Sequence, residues 1–525
     1  MERKQFDLVI IGGGIVGCSV FSQAVLKGVN AVLLEAENDV SAYATKANSG
    51  IVHSGYDPMP NTNMAKFNVL GNQMYQDMCN RLGVDFVQCG TLTVASESGR
   101  QNLEELLQRG KQNGVKGLRI VEKDELLKME PNLADDISVG LLAETGGVVS
   151  PYSVCIALVE EGIVNGGTAI TQFKVNSIKK EEDFFTISDG NQTVQGKYVV
   201  NCAGPNANEI NKLLGAKEYP TSFVKGEYIL LDKSQKGFVN RPIFPLPTEK
   251  GKGILANITV HGNILFGPTA VECDKDDTSV ELKGIENIKE KIVLSVKTPN
   301  FKKTIKLFAG VRVKSGTDFV VEKDDKNQNY YYAMGICSPG LTAAPAIAEH
   351  FLNLMVKDGL KTKQIQAKKR TPYVNMESLS KEQQKELIKS NPLYGKIICR
   401  CENISEQEII DALNSPLKPT TIDAIKRRVR PTMGRCQGSF CVPKLIKIIA
   451  QQKRIKEEDV TLDGKNSELL VGDIKQGGRY ENWYCCYRWG AGWNCLCLWG
   501  LPKRSKSCAC WKRGQAWRNF KPMCA

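Results

Sequence analysis

Asp7–Glu35 reads DLVIIGGGIVGCSVFSQAVLKGVNAVLLE, and its reading decides the fold. Leu8 to Ile11 is a short apolar run of the kind a buried parallel strand uses. Gly12, Gly14 and Gly17 follow as G-x-G-x-x-G. The first glycine permits a tight turn, the second lets a pyrophosphate approach the backbone, and the third lets the next helix pack closely on the strand. That helix, starting near Ile15, offers free N–H groups and the positive end of its dipole to phosphates. Ala31 to Leu34 reads as the second strand and Glu35 ends it, placed to accept hydrogen bonds from a ribose hydroxyl. The expected unit is strand, turn, helix, strand around a dinucleotide, and the motif alone does not separate FAD from NAD.

Working outward, the 525 residues suffice for two to four domains. Charged residues make up 24% and hydrophobic ones 42%, an ordinary balance for a soluble globular protein. No apolar run approaches the roughly 20 residues that span a bilayer, so no direct membrane span is expected. MERKQFDLVI runs straight into the first strand without a signal peptide, and a cytoplasmic protein is expected. The net charge of +13 resembles a nucleic-acid signal until it is located. Residues 483–525 hold eight Lys and Arg and no acid, which leaves +5 for the rest, so no nucleic-acid partner is expected.

Residues 1–370 read as one α/β unit. Helices are expected over 63–82, 101–112, Ser153–Asn165 and Thr342–Val356, and strands over Gly90–Ala95, Tyr198–Pro205 and Tyr330–Gly335. Val175–Val194 alternates like a hairpin turning at Asp189-Gly190. The strand-rich stretch 220–270, with turns at His261-Gly262 and Lys250–Gly253, suggests a sheet that caps the nucleotide domain. Residues 371–395 read as a linker with one polar helix, 396–452 as a separate small module, and 453–482 as a polar extension.

That module carries Cys399 and Cys401 as C-x-C, and Cys436 and Cys441 as C-x4-C. In a cytosolic protein four thiolates in two close pairs point to a metal rather than disulfides. Zinc and an iron–sulfur cluster are both open on spacing. Arg400, Lys426, Arg427, Arg428 and Arg430 are expected to offset a cluster's negative charge.

The first 370 residues resemble the FAD-dependent oxidoreductases of the D-amino-acid oxidase superfamily, in the glycerol-3-phosphate dehydrogenase and L-2-hydroxyglutarate oxidase branch. The likeness is carried by the glycine motif with Glu35, by Ala47-Asn48-Ser49-Gly50-Ile51-Val52-His53-Ser54-Gly55-Tyr56, by Asn201-Cys202-Ala203-Gly204, by Gly262-Asn263 with Gly267-Pro268-Thr269-Ala270, by Phe308-Ala309-Gly310-Val311-Arg312, and by Gly335-Ile336-Cys337-Ser338-Pro339-Gly340-Leu341-Thr342. It implies a Rossmann-like FAD-binding domain with a β-rich substrate cap. It also implies cofactor contacts from Gly12, Gly14, Gly17, Glu35, Thr45, Asn48, Ser49, Gly204, Gly335, Gly340, Leu341 and Thr342. The cysteine module resembles the small α-helical bacterioferritin-associated-ferredoxin-like domain, which implies a [2Fe–2S] cluster.

Oxidising an alcohol with flavin removes a hydride from carbon and a proton from oxygen, and histidine suits the proton best. Of three histidines, His53 stands where the resemblance places the base. Arg312 stands where it places a guanidinium for the substrate's anionic group. Lys252 and Ser338 are further candidates at the substrate. The implied reaction is oxidation of glycerol 3-phosphate, a small anionic substrate, to dihydroxyacetone phosphate. Electrons would leave through the cluster to a partner reductase or quinone. A 2-hydroxy acid such as L-2-hydroxyglutarate, an amine or amino acid, or a non-catalytic electron carrier are the competing readings.

Residues 483–525 hold all six tryptophans and seven of eighteen cysteines. Codon rules allow a one-nucleotide forward shift to turn Trp483–Trp493 into G-I-V-V-I-G-G-x-P-A-G, the opening of another dinucleotide domain. The expectation is a frameshifted read of an FAD/NAD-dependent reductase, itself a candidate electron acceptor.

Overall fold

A computed structural model describes residues 4–247 and 253–470, together with the backbone of the short strand pairs Cys485–Trp489 with Gly492–Leu496 and Trp511–Lys512 with Gln515–Ala516. Lys252 and the rest of the tail, with the frameshift reading, lie outside the described residues.

The opening segment folds as β1 (Lys4–Ile11), α1 (Ile15–Leu26) and β2 (Ala31–Leu34). β1 pairs in parallel with β2 on one side and with Thr193–Asn201 on the other, which in turn pairs in parallel with Tyr330–Met334. Leu8 to Ile11 and all of β2 are buried, as strands covered on both faces require. Gly12 has φ +108, and a Cβ there would stand 2.5 Å from the Cys202 carbonyl oxygen. A Cβ on Gly17 would stand 2.0 Å from Gly12 O, so only glycine lets α1 lie this close to the turn. α1 is apolar around most of its surface because the helices Pro151–Val164 and Gly340–Lys357 cover it.

The helix Asn63–Leu82 matches its expected bounds. Thr62 caps it by accepting from Ala65 N, and Gly83 closes it at φ +61. Where one hairpin is expected over 175–194, the chain makes two turns, joining Ser177–Lys180, Phe185–Ser188 and Thr193–Asn201. Asp189 stabilises the second by accepting from Asn191 N and Gln192 N.

The cap is a nine-stranded sheet, larger than 220–270 alone suggests. Ser222–Leu231 pairs antiparallel with Thr304–Lys314, and the far side of the sheet recruits Thr91–Ala95, Val139–Ala143 and Leu118–Glu122.

The cysteine module is a short ribbon, Ile397–Cys399 with Ile404–Ser405, and three helices, Glu406–Leu413, Ile422–Val429 and Val442–Lys453. Its apolar core includes Ile409, Ile425, Leu445 and Ile449. Val460, Leu469 and Leu470 join that core, so the stretch read as a polar extension is structural up to Leu470.

Three of the module's arginines are engaged by protein carboxylates. Asp39, 2% exposed, lies four residues beyond Glu35, where the chain has left β2. Arg428 donates to both its oxygens at 2.8 and 3.1 Å, and Arg427 adds a bond at 3.1 Å. Arg430 pairs with Glu402 at 3.0 Å. Buried guanidinium groups need carboxylates, and these carboxylates are protein side chains rather than a cluster. Only Arg400 of the expected set is an exposed residue next to the cysteines.

Burial by itself pushes the Asp39 carboxyl up, but Arg428 and Arg427 outweigh it and hold the group below its ordinary value. A depressed carboxyl contributes stability above its unfolded value, about 3.9, and loses it as pH falls through the lower folded value. Asp39→Asn is therefore expected to lower the thermal midpoint at neutral pH and to flatten its fall below about pH 4. Parallel melting curves for variant and wild type across that range would contradict this.

Candidate functional site

A cavity of about 730 Å³ runs from the end of β2, over the glycine turn, to the cap sheet. Gly12, Gly14, Glu35, Thr45, Asn48, Ser49, Gly204, Gly340 and Leu341 line it, as do His53, Arg312 and Ser338. Gly17, Gly335 and Thr342 do not. Gly17 is turned to the strand, Gly335 has φ +66 against Ser315, and Thr342 has a different partner described below.

At one end Glu35 is buried. Its Oε2 accepts from Gly13 N at 2.6 Å and its Oε1 from Glu37 N at 2.8 Å. Burial pushes its carboxyl up, and the two N–H donors offset part of that. The N-cap of α1, Gly14, has no side chain to cap with. Thr45 supplies the acceptor from the neighbouring segment, taking Ile15 N at 3.1 Å. Asn48 organises that segment, donating to Ala44 O and Thr45 O and accepting from Gly50 N. The N-termini of α1 and of Gly340–Lys357 both reach the cavity, an arrangement suited to a pyrophosphate.

At the other end, His53 Nε2 stands 3.4 Å from Ser338 Oγ. The main chain at His53 is held on both sides: its N–H donates to Thr342 Oγ1 at 2.9 Å, and its carbonyl accepts from Asn68 and Asn72 at 3.0 and 3.2 Å. Asn68, Asn72 and Thr342 therefore fix where the imidazole projects. The signal for the asparagines was in the sequence, as amides at i and i+4 on one helix face.

Arg312, in the strand Thr304–Lys314, donates from Nη2 to Thr269 O at 2.8 Å. Its Nε is buried with no partner among the described residues. An unmade bond of this kind costs about 1–3 kcal/mol, which an anion in the cavity would recover. Gly253, next to Lys252, also lines the cavity. The other histidines lie elsewhere. His261 is driven well below its usual value by burial, with Arg430 and Lys233 nearby. His350 packs edge-on against Phe67.

The four cysteines form two adjoining pairs. Cys399 interacts with Cys441 and Cys401 with Cys436. Cys399 is lowered to about 6, by the Cys441 thiol first, against the cost of burial, with help from backbone N–H groups of Thr432, Glu402 and Cys401. Two thiolate pairs ringed by N–H donors fit the two irons of a [2Fe–2S] cluster.

The profile of the FAD dependent oxidoreductase family matches residues 7–354, and that of the BFD-like [2Fe-2S] binding domain matches 397–451. A glycerol 3-phosphate dehydrogenase from Caloramator mitchellensis is 38% identical over 90% of this chain and 99% of its own length. A glycerol 3-phosphate oxidase from Mycoplasma pneumoniae is 31% identical over 68% of this chain and 95% of its own. The solved structure of the dithionite-reduced L-alpha-glycerophosphate oxidase of that organism with FAD bound superposes with a TM-score of 0.67, at 28% identity, over 71% of this chain and all of that one. FAD and a [2Fe–2S] cluster are thus the cofactors, and no helix among the described residues is long and apolar enough to cross a membrane. The chain belongs to the FAD-dependent oxidoreductase family, among relatives that oxidise glycerol 3-phosphate, and carries a BFD-like [2Fe–2S] domain behind its flavin domain.

Proposed function

We propose that this protein oxidises glycerol 3-phosphate to dihydroxyacetone phosphate and passes the electrons through its own cluster to a partner reductase or quinone. One observation carries the reading. The dehydrogenase relative is matched along 90% of this chain, whereas the mycoplasma oxidase spends 95% of its length on only 68% of it. The oxidase is too short to hold both units. A flavin reoxidised by oxygen needs no cluster, so a cluster behind the flavin domain favours a dehydrogenase.

Bound FAD supplies the hydride acceptor and the cluster supplies single-electron steps. The remaining work belongs to the chain. His53 Nε2 takes the proton of the reacting hydroxyl, and the Ser338 hydroxyl beside it holds the ring or the substrate oxygen. Arg312 grips the phosphate through the N–H groups that Thr269 leaves free, with Lys252 as a second cation. The clamp of Thr342, Asn68 and Asn72 on the His53 backbone keeps the base in register with the cavity.

Anaerobic addition of glycerol 3-phosphate is expected to bleach the flavin absorbance, and L-2-hydroxyglutarate is expected to leave it unchanged. Bleaching by the hydroxy acid alone would transfer the assignment to 2-hydroxy acids, with Arg312 as a carboxylate clamp. Bleaching by neither would favour a carrier. His53→Ala is expected to keep its FAD and to slow substrate-driven flavin reduction about 10²–10⁴-fold. An unchanged rate would remove His53 as the base.

A further inference from the structure

The segment 38–46 is a wall shared by two sites. On one side, Ser41 N donates to Gly13 O at 2.8 Å, and Thr45 Oγ1 caps α1 at 3.1 Å. Glu35 holds Gly13 N from just upstream. Ser41 sits at φ +66, a conformation a serine adopts only when its surroundings hold it there. On the other side, Asp39 holds Arg427 and Arg428, and Asn38 Nδ2 donates to Thr421 Oγ1 at 3.1 Å and to Asp463 O at 2.8 Å. Lys46 pairs with Asp463 at 3.3 Å.

We infer that FAD binding and the docking of the cysteine module are thermodynamically linked through residues 38–46, each strengthening the other. The module therefore acts as a structural part of the flavin site, and Asp39 and Arg428 are positioning residues that do not line the cavity. The physical cause is local. If Arg428 is withdrawn, Asp39 is left under-paired in a buried setting and must turn toward water. Its Oδ1 accepts from Val40 N at 3.0 Å, and Ser41, the next residue, braces the glycine turn through Gly13 O, so that turn loses its support. Linkage is reciprocal, so FAD tightens the module by the same factor by which the module tightens FAD. None of this depends on which alcohol is oxidised, so it stands or falls apart from the proposed substrate.

The test uses full-length protein with its cluster in place, stripped of FAD and titrated with it. Arg428→Met is expected to raise the FAD Kd about tenfold with iron content unchanged. In the wild type, amide hydrogen exchange over 421–430 is expected to be slower with FAD than without. If Arg428→Met fails to fold, the wild-type exchange decides alone. Equal exchange over 421–430 with and without FAD overturns the linkage, as does an unaltered FAD Kd in a folded Arg428→Met.

Discussion

The Arg428 guanidinium lies wholly buried between two carboxylates of the flavin unit, bonded to Asp39 and 3.8 Å from Glu160. Glu160 in turn holds Arg370, itself 8% exposed, at 2.8 Å, and Tyr373 bonds its other oxygen. A buried ion pair contributes little against a well-packed apolar alternative. Removing one partner, however, costs about 3–5 kcal/mol because a charge is stranded. The docking is therefore hard to undo piecemeal. The cysteine module is held against the flavin unit as a fixed neighbour rather than hung from it on a tether.

That fixity matches what the chemistry asks of the chain. In the proposed route an alcohol gives up two electrons together and a [2Fe–2S] cluster takes them one at a time, and a fixed relation between the two centres suits such successive transfers. Bridging contacts beyond Asp39 serve the same end. Tyr152, at the start of the Pro151–Val164 helix, meets Met433 at 3.7 Å and accepts from Arg430. Lys233 of the cap reaches Glu402, next to Cys401, at 3.0 Å. Both the nucleotide domain and the cap thus touch the loops that carry the cysteines.

What was legible in the sequence was whatever local chemistry dictates. The β1–α1–β2 unit is written in apolar runs and three glycines, and Asn63–Leu82 in its cap, its periodicity and its terminal glycine. His53, Ser338 and Arg312 stand far apart in sequence and line one cavity, and only the motif pattern joined them beforehand. What was not legible depends on partners distant in the chain. Gly90–Ala95 reads as a strand, but nothing local says that it extends the cap, and Leu118–Glu122 carries no strand signal of its own. Arg427 and Arg428 look like a solvated basic face because Asp39 lies nearly 390 positions away. Thr342 reads as part of a nucleotide-binding helix start, yet its hydroxyl is used on the His53 backbone. Val460, Leu469 and Leu470 are too sparse among polar neighbours to announce a buried strand of chain.

The most direct test is anaerobic. One equivalent of glycerol 3-phosphate is added to protein carrying both cofactors, and the reduced cluster is counted by electron paramagnetic resonance while the flavin absorbance is followed. A fixed flavin–cluster pair in one chain predicts that the cluster signal grows as the flavin responds, at a rate independent of protein concentration. A flavin that bleaches fully while no cluster signal appears would contradict the account.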